Sequence, residues 1–137
     1  MLYKCDLHIH SRFSFHCSKY INLQSLVEQA KLQGINCLGT GDILHPEWYN
    51  QVKSKYKKFP EIKFIPSVEL ADKFNAHHLV ILRNFQERDK LYNLLEPYSI
   101  NLDSNGRPRI RLNGKELGKI LYLNKFYFGP AHVFSPY

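Results

Sequence analysis

The run Tyr3-Lys4-Cys5-Asp6-Leu7-His8-Ile9-His10-Ser11 reads as a first strand that ends in a pair of imidazoles. In extended backbone the side chains alternate between faces, so His8 and His10 point one way while Leu7 and Ile9 point the other. Neutral imidazoles at i and i+2 make a pincer suited to Zn²⁺ or a similar first-row ion. The same spacing also fits two half-buried histidines satisfied by hydrogen bonds at a strand end. The positions of the other acids and histidines favour the metal. Asp42 and His45, Glu69, His77-His78 and His132 each stand at or near the end of a strand-like segment.

Outward from the pincer, residues 11–19 are rich in Ser and irregular, a loop over the site. Arg12 there is placed either to hold a phosphate oxygen in its planar fork or to make a surface ion pair. Asn22 caps a helix whose apolar positions Leu23, Leu26, Val27 and Ala30 follow helical spacing. Residues 35–40 form a second strand that delivers Asp42, and Pro46 suits the first turn of a helix to about residue 57. Residues 63–69 form a third strand ending in Glu69. Residues 76–82 form a fourth, apolar for most of its length and so buried on both faces as in a parallel sheet. Neighbours on a strand face opposite ways, so one of His77 and His78 faces the site. Residues 87–95 are helical. Asn105-Gly106-Arg107-Pro108 is a turn, after which Arg109 and Arg111 share a face that could line a groove along a nucleic-acid backbone or stand as a solvated edge. Asn113 caps a helix over 114–123, and residues 126–133 form a fifth strand carrying His132. Strands alternating with helices imply an α/β fold, with site residues gathered at the carboxyl ends of parallel strands.

Composition bounds the function. A chain of 137 residues with 44% hydrophobic content is expected to be a single domain, 1–137, with a real core. No apolar run approaches the roughly 20 residues of a membrane span, and no basic-then-apolar leader opens the sequence, so a cytoplasmic protein without membrane contact is expected. Three cysteines without a C-x-x-C pair fit a reducing compartment rather than a disulfide framework. The formal charge of +7 points to a polyanionic partner, most simply nucleic acid.

Asp6-Leu7-His8-Ile9-His10-Ser11 resembles the opening motif of the PHP (polymerase and histidinol phosphatase) superfamily. More narrowly, several segments are similar to the N-terminal domain of the endonuclease Q group: His10-Ser11-Arg12-Phe13-Ser14, the stretch from Gly39-Thr40-Gly41-Asp42 to His45-Pro46-Glu47-Trp48, His77-His78-Leu79-Val80-Ile81-Leu82, the Gly106-Arg107-Pro108 turn, and Pro130-Ala131-His132-Val133-Phe134-Ser135-Pro136-Tyr137. The resemblance implies a distorted (β/α)₇ barrel. It also implies metal-dependent phosphodiester hydrolysis on DNA, 5′ of deaminated bases or abasic sites, with metal-bound hydroxide as nucleophile. By motif, His8 and His10 resemble the ligands of one metal, Glu69 the bridging carboxylate, and His78 and His132 the ligands of a second. His16 stands where some PHP phosphatases place a further ligand. Asp42 and His45 fall at the cluster or its edge in catalytic roles, together with Arg12, while Arg12, Ser14, Arg109 and Arg111 are the expected substrate contacts. The implied cofactor is a divalent metal cluster, Zn²⁺ first, with Mn²⁺ or Mg²⁺ as alternatives.

Two departures qualify the resemblance. Only five strand-like segments are present, and the last Asp-x-His motif of the family is absent, which fits a piece of a longer protein, a split-gene half or a reduced homologue. The barrel is then incomplete, and either a homo-oligomer or a second polypeptide is expected to cover its open side, where Val80, Leu82, Phe126 and Phe128 would face the missing strands. Two other functions stand beside the endonuclease: a phosphomonoesterase of the histidinol-phosphatase kind, favoured by His16 and by the expected absence of a DNA-binding domain, and a non-catalytic metal-binding or assembly subunit, favoured by the missing ligands.

Overall fold

Pro66 divides the segment 63–69 into two strands that belong to different sheets. The computed structural model describes residues 2–135, and these carry six strands and four α-helices. Strands β1 (Cys5–Asp6), β2 (Cys37–Gly39) and β3 (Lys63–Ile65) form a parallel sheet in that order. Strands β4 (Ser67–Ala71), β5 (His77–Ile81) and β6 (Tyr127–Pro130) form an antiparallel one. Proline has no N–H to give to a ladder, so a strand breaks there readily. Beyond it the chain enters the second sheet, where the Pro66 carbonyl accepts from the Leu82 N–H at 2.9 Å.

The expectation of five parallel strands is therefore corrected. Only residues 72–76 join β4 to β5. That length suits an antiparallel return, whereas a parallel crossover needs about a dozen residues or more. The first strand is also shorter than expected, so His8 and His10 leave its end in irregular backbone. Among the described residues the two sheets do not close into a barrel, and the fold is mixed α/β.

Helix α1 (Leu23–Leu32) starts where Asn22 accepts from the Ser25 N–H while the Ser25 side chain returns to the Asn22 backbone, a reciprocal cap. Helix α2 (Pro46–Lys55) begins on its proline and ends in a 3₁₀ turn over Tyr56–Lys58. Helix α3 (Glu87–Leu95) is followed by α4 (Gly114–Leu123), capped by Asn113 and Glu116 as α1 is by Asn22 and Ser25. The larger core joins Trp48, Val68, Leu70, Val80, Leu82, Leu91, Leu117 and Leu121, and a smaller one gathers Val27, Ala30, Leu38 and Ile62 beneath α1. The Trp48 indole N–H donates to the carbonyls of Thr40 and Gly41, both at 3.0 Å, and so fastens α2 to the turn that carries Asp42.

Val80, Leu82 and Phe126 lie inside this core rather than on an open side. Helices α3 and α4 supply the cover, and of the residues expected to face missing strands only Phe128 is exposed. No helix among the described residues is long and apolar enough to cross a membrane. Pro136 and Tyr137, the end of the last family-like segment, lie outside the described residues.

Candidate metal centre

Glu69 is the centre of the site. It is 1% exposed at the middle of β4, and both of its carboxylate oxygens are surrounded by nitrogen. Oε1 stands 2.8 Å from His132 Nε2, 3.2 Å from His8 Nε2 and 3.4 Å from His77 Nδ1. Oε2 stands 3.1 Å from His10 Nε2 and 3.3 Å from Arg107 Nη1. The pincer thus straddles one carboxylate, His8 on one oxygen and His10 on the other.

Behind His10 lies Asp42, fully buried. Its Oδ2 accepts from the Ser11 N–H at 2.7 Å and the Ser11 hydroxyl at 2.6 Å, and its Oδ1 accepts from the Ser14 hydroxyl at 2.9 Å. Oδ1 also lies 3.1 Å from His10 Nδ1. A carboxylate on Nδ1 fixes the ring so that Nε2 faces Glu69, the arrangement by which outer carboxylates orient metal-binding imidazoles. The turn holding Asp42 needs glycine at Gly41, where φ is 59° and an added Cβ would lie 2.2 Å from the Ile9 carbonyl oxygen.

The expected site residues separate into two groups. His8, His10, Glu69 and His132 come together, with Asp42 and Ser14 immediately behind His10. His78 does not join them: its Nε2 turns to Asp72 Oδ2 at 3.1 Å, and His77 takes the place expected of it. The antiparallel register explains the exchange. Glu69 pairs with Leu79 and Ala71 with His77, so residues two apart on each strand share the Glu69 face and His78 is left on the other.

Of the two roles open to Arg12, the structure shows the ion pair, its guanidinium lying 2.9 Å from Glu47. His16 is exposed and makes no contact with the cluster among the described residues. His45 stacks on Phe13 with ring centroids 4.0 Å apart at the start of α2, a structural placement, and burial lowers its pKa. Ser14 is buried against Asp42 and faces the site's support rather than a substrate. Arg111 is tied to the Pro97 carbonyl at 3.1 Å, whereas Arg109 lines a cavity with Arg107. Arg107 was missed as a site residue, because a turn residue carries no periodicity to betray its direction; the Gly106-Arg107-Pro108 motif was the signal available.

The donor set fits a divalent ion. Ligand atoms of His8, Glu69 and His132 all lie within 4.8 Å of one another. With two further imidazoles, His10 and His77, on the same buried carboxylate, the chemistry is that of imidazole-carboxylate sites for Zn²⁺ and its neighbours. Burial opposes a charged His10, but the Asp42 and Glu69 carboxylates outweigh it and push the imidazole up to about 9. Burial likewise opposes a charged Glu69, yet His10 and His8 hold it well below the usual carboxylate range.

These shifts fix how the metal-free chain responds to pH. His10 lies above its ordinary 6.5, so its contribution is complete below about that pH and fades as pH rises through about 9. Glu69 lies below its ordinary 4.5, so its contribution is present above that pH and is lost on acidification. Stability of the chelated protein is expected to peak between about pH 5 and 6.5 and to fall by on the order of 3 kcal/mol toward pH 9. Melts across that range in chelator check it, and stability that rises above pH 7 would contradict the His10 pairing.

The same geometry invites comparison with known proteins. No protein-family profile matches the chain. An uncharacterized protein of Methanocaldococcus jannaschii is 37% identical over 136 residues, covering 99% of this chain and 17% of that protein. The crystal structure of the lesion-specific endonuclease PfuEndoQ from Pyrococcus furiosus superposes with a TM-score of 0.91 at 33% identity, over 100% of this chain and 36% of that one. This chain is similar to endonuclease Q. A second such structure, endonuclease Q in complex with a 27-mer duplex carrying an abasic lesion at the active site, gives a TM-score of 0.88 over 97% of this chain and 35% of that one. The chain therefore spans about a third of the solved endonuclease Q structures and less than a fifth of the curated relative.

Proposed function

We propose that this chain is the metal-binding part of a PHP-type, endonuclease Q-like nuclease that cleaves DNA phosphodiesters 5′ of deaminated bases or abasic sites. The carrying observation is the Glu69 cluster of His8, His10, His77 and His132, in a chain that matches a lesion-specific endonuclease along its whole length. His8, His10, Glu69, His77 and His132 would hold a divalent cluster, zinc first with manganese or magnesium as alternatives. When bound, such ions polarise the scissile phosphate and lower the pKa of water.

The chain's own residues do the rest. Asp42 keeps His10 oriented with Nε2 inward, so that this nitrogen faces Glu69 and, once free of its proton, would serve as a ligand. Arg107, beside Glu69, supplies a fork for the non-bridging phosphate oxygens that gain charge in the transition state. His16 is exposed and apart from the cluster, which weighs against the phosphomonoesterase reading. Three free thiols fit a cytoplasmic setting.

Incision of an abasic duplex, dependent on added Zn²⁺ or Mn²⁺ and exceeding hydrolysis of p-nitrophenyl phosphate, is the expected result. Hydrolysis of the monoester alone would favour the phosphatase, and metal binding without either activity the assembly subunit.

Assembly belongs to the same proposal. The outer edge of β6 and the exposed Tyr122, Leu123 and Tyr127 border an apolar groove of about 610 Å³. A second polypeptide carrying further strands would cover it, and a second copy of the chain would do so less completely. Light scattering at micromolar concentration is expected to report self-association of the chain alone. A monodisperse monomer with a full metal complement would overturn this.

A further inference from the structure

Beside the metal centre lies a cavity of about 270 Å³ whose lining includes Asn101, Asn105, Arg107, Arg109, His16 and Phe15. We infer that it is a second phosphate subsite, one that takes the phosphodiester of a nucleotide next to the one being cleaved. The inference rests on the nuclease reading for its role, but the site's own chemistry can be tested without DNA.

Two hydrogen bonds give the cavity its character. Asn101 Oδ1 accepts from the Arg109 backbone N–H at 2.7 Å, and Asn105 Oδ1 accepts from the Arg107 backbone N–H at 2.9 Å. A backbone N–H can only donate, so each amide oxygen is pinned and each NH₂ group is left over. Neither NH₂ group has an acceptor among the described residues, and neither does the Arg109 guanidinium. No Asp or Glu lines the cavity. Arg109 and two fixed amides thus present donors without a partner among the described residues, and Arg107, one of whose nitrogens is on Glu69, adds its positive charge, which complements an anion with several oxygens and repels a cation. The volume, roughly nine waters' worth at about 30 Å³ each, admits a phosphodiester with part of its sugar.

Arg107 joins this cavity to the centre. Its backbone N–H is held by Asn105 while its Nη1 reaches Glu69 at 3.3 Å, so one residue spans both places. A strand lying across Arg107 would bring consecutive phosphates to the cluster and to the Asn101–Arg109 pair. Arg109 is exposed and makes no ion pair among the described residues, so its replacement does not disturb the core.

The test has two arms. In the first, ¹⁵N-labelled chain is titrated with inorganic phosphate and, separately, with uridine. The side-chain amide signals of Asn101 and Asn105 are expected to shift saturably with phosphate alone, and Asn101→Asp, which keeps the acceptor for Arg109 N–H but replaces the donor by a charge, is expected to weaken that binding about tenfold or more. In the second arm, affinity for a labelled abasic duplex is followed against salt concentration. Arg109→Gln is expected to lower the slope of log K against log salt by about one, which a merely structural effect would not do. Silent amides with phosphate, a response to uridine only, or a duplex that binds with an unchanged slope in Arg109→Gln overturn the subsite. Amides that respond to phosphate in a chain that binds no duplex uphold the subsite and overturn the nuclease reading instead.

Discussion

Replacing Glu69 by Gln is expected to strip the chain of its divalent ions and with them any phosphodiesterase activity. One carboxylate serves both halves of the cluster: His8, His77 and His132 approach Oε1, and His10 and Arg107 approach Oε2. An amide offers one neutral oxygen where the acid offers two charged ones, and its NH₂ would face imidazole nitrogens that must remain open as ligands. The metal-free fold should suffer too. Buried as it is, Glu69 compensates the charge of His10 and Arg107, and removing one partner of a buried pair costs about 3–5 kcal/mol. Elemental analysis and a melting curve on the same preparation read both effects. A variant that retained the metal content of the parent would show that the imidazoles bind without Glu69 and that the centre has been drawn around the wrong residue.

How far this centre could be read from the chain depends on which kind of order each residue obeys. His8, His10 and His132 were legible because they follow the ends of strand segments, and such ends converge; Glu69 was found as the end of an apolar segment, although it stands at the middle of β4. The caps at Asn22 and Asn113 were legible because their chemistry is local, an oxygen aimed at an N–H three residues on. The choice of His77 over His78 was not, since it turns on pairing register. A parallel strand buried on both faces gives no parity, whereas a return through residues 72–76 puts His77 on the Glu69 face. Recognising that Pro66 breaks the third segment would have suggested such a hairpin. Arg12 shows the opposite failure: a loop position near the pincer left a phosphate contact and a surface ion pair both open, and nothing local foretold Glu47, thirty-five residues away, as its partner. Exposed ion pairs of this kind leave no periodic trace.

Gly106→Ala is expected to be severely damaging for the addition of one methyl, and to act on the metal centre through a residue that touches no ligand of it directly. A Cβ built on Gly106 would lie 2.4 Å from both Asp42 Cγ and Oδ2, and 2.7 Å from Ser14 Oγ. Asp42 has nowhere to retreat, because the Ser11 amide and hydroxyl and the Ser14 hydroxyl hold its two oxygens in a fully buried place. Gly106 is itself fixed by its N–H to the Phe13 carbonyl at 2.8 Å, so the loop cannot simply lift away. Something must shift, and each option breaks a buried hydrogen bond or opens the loop. Overpacking of this kind costs about 3 kcal/mol or more, a fall in melting temperature on the order of 10 °C. Because Asp42 orients His10, metal affinity should fall about 10- to 100-fold in whatever fraction still folds. Gly129→Ala supplies the control, since a methyl there meets nothing within 4 Å. Melting curves and metal titrations of the two variants side by side decide the matter: if Gly106→Ala behaved as Gly129→Ala does, the support of His10 by a rigid Asp42 would be wrong.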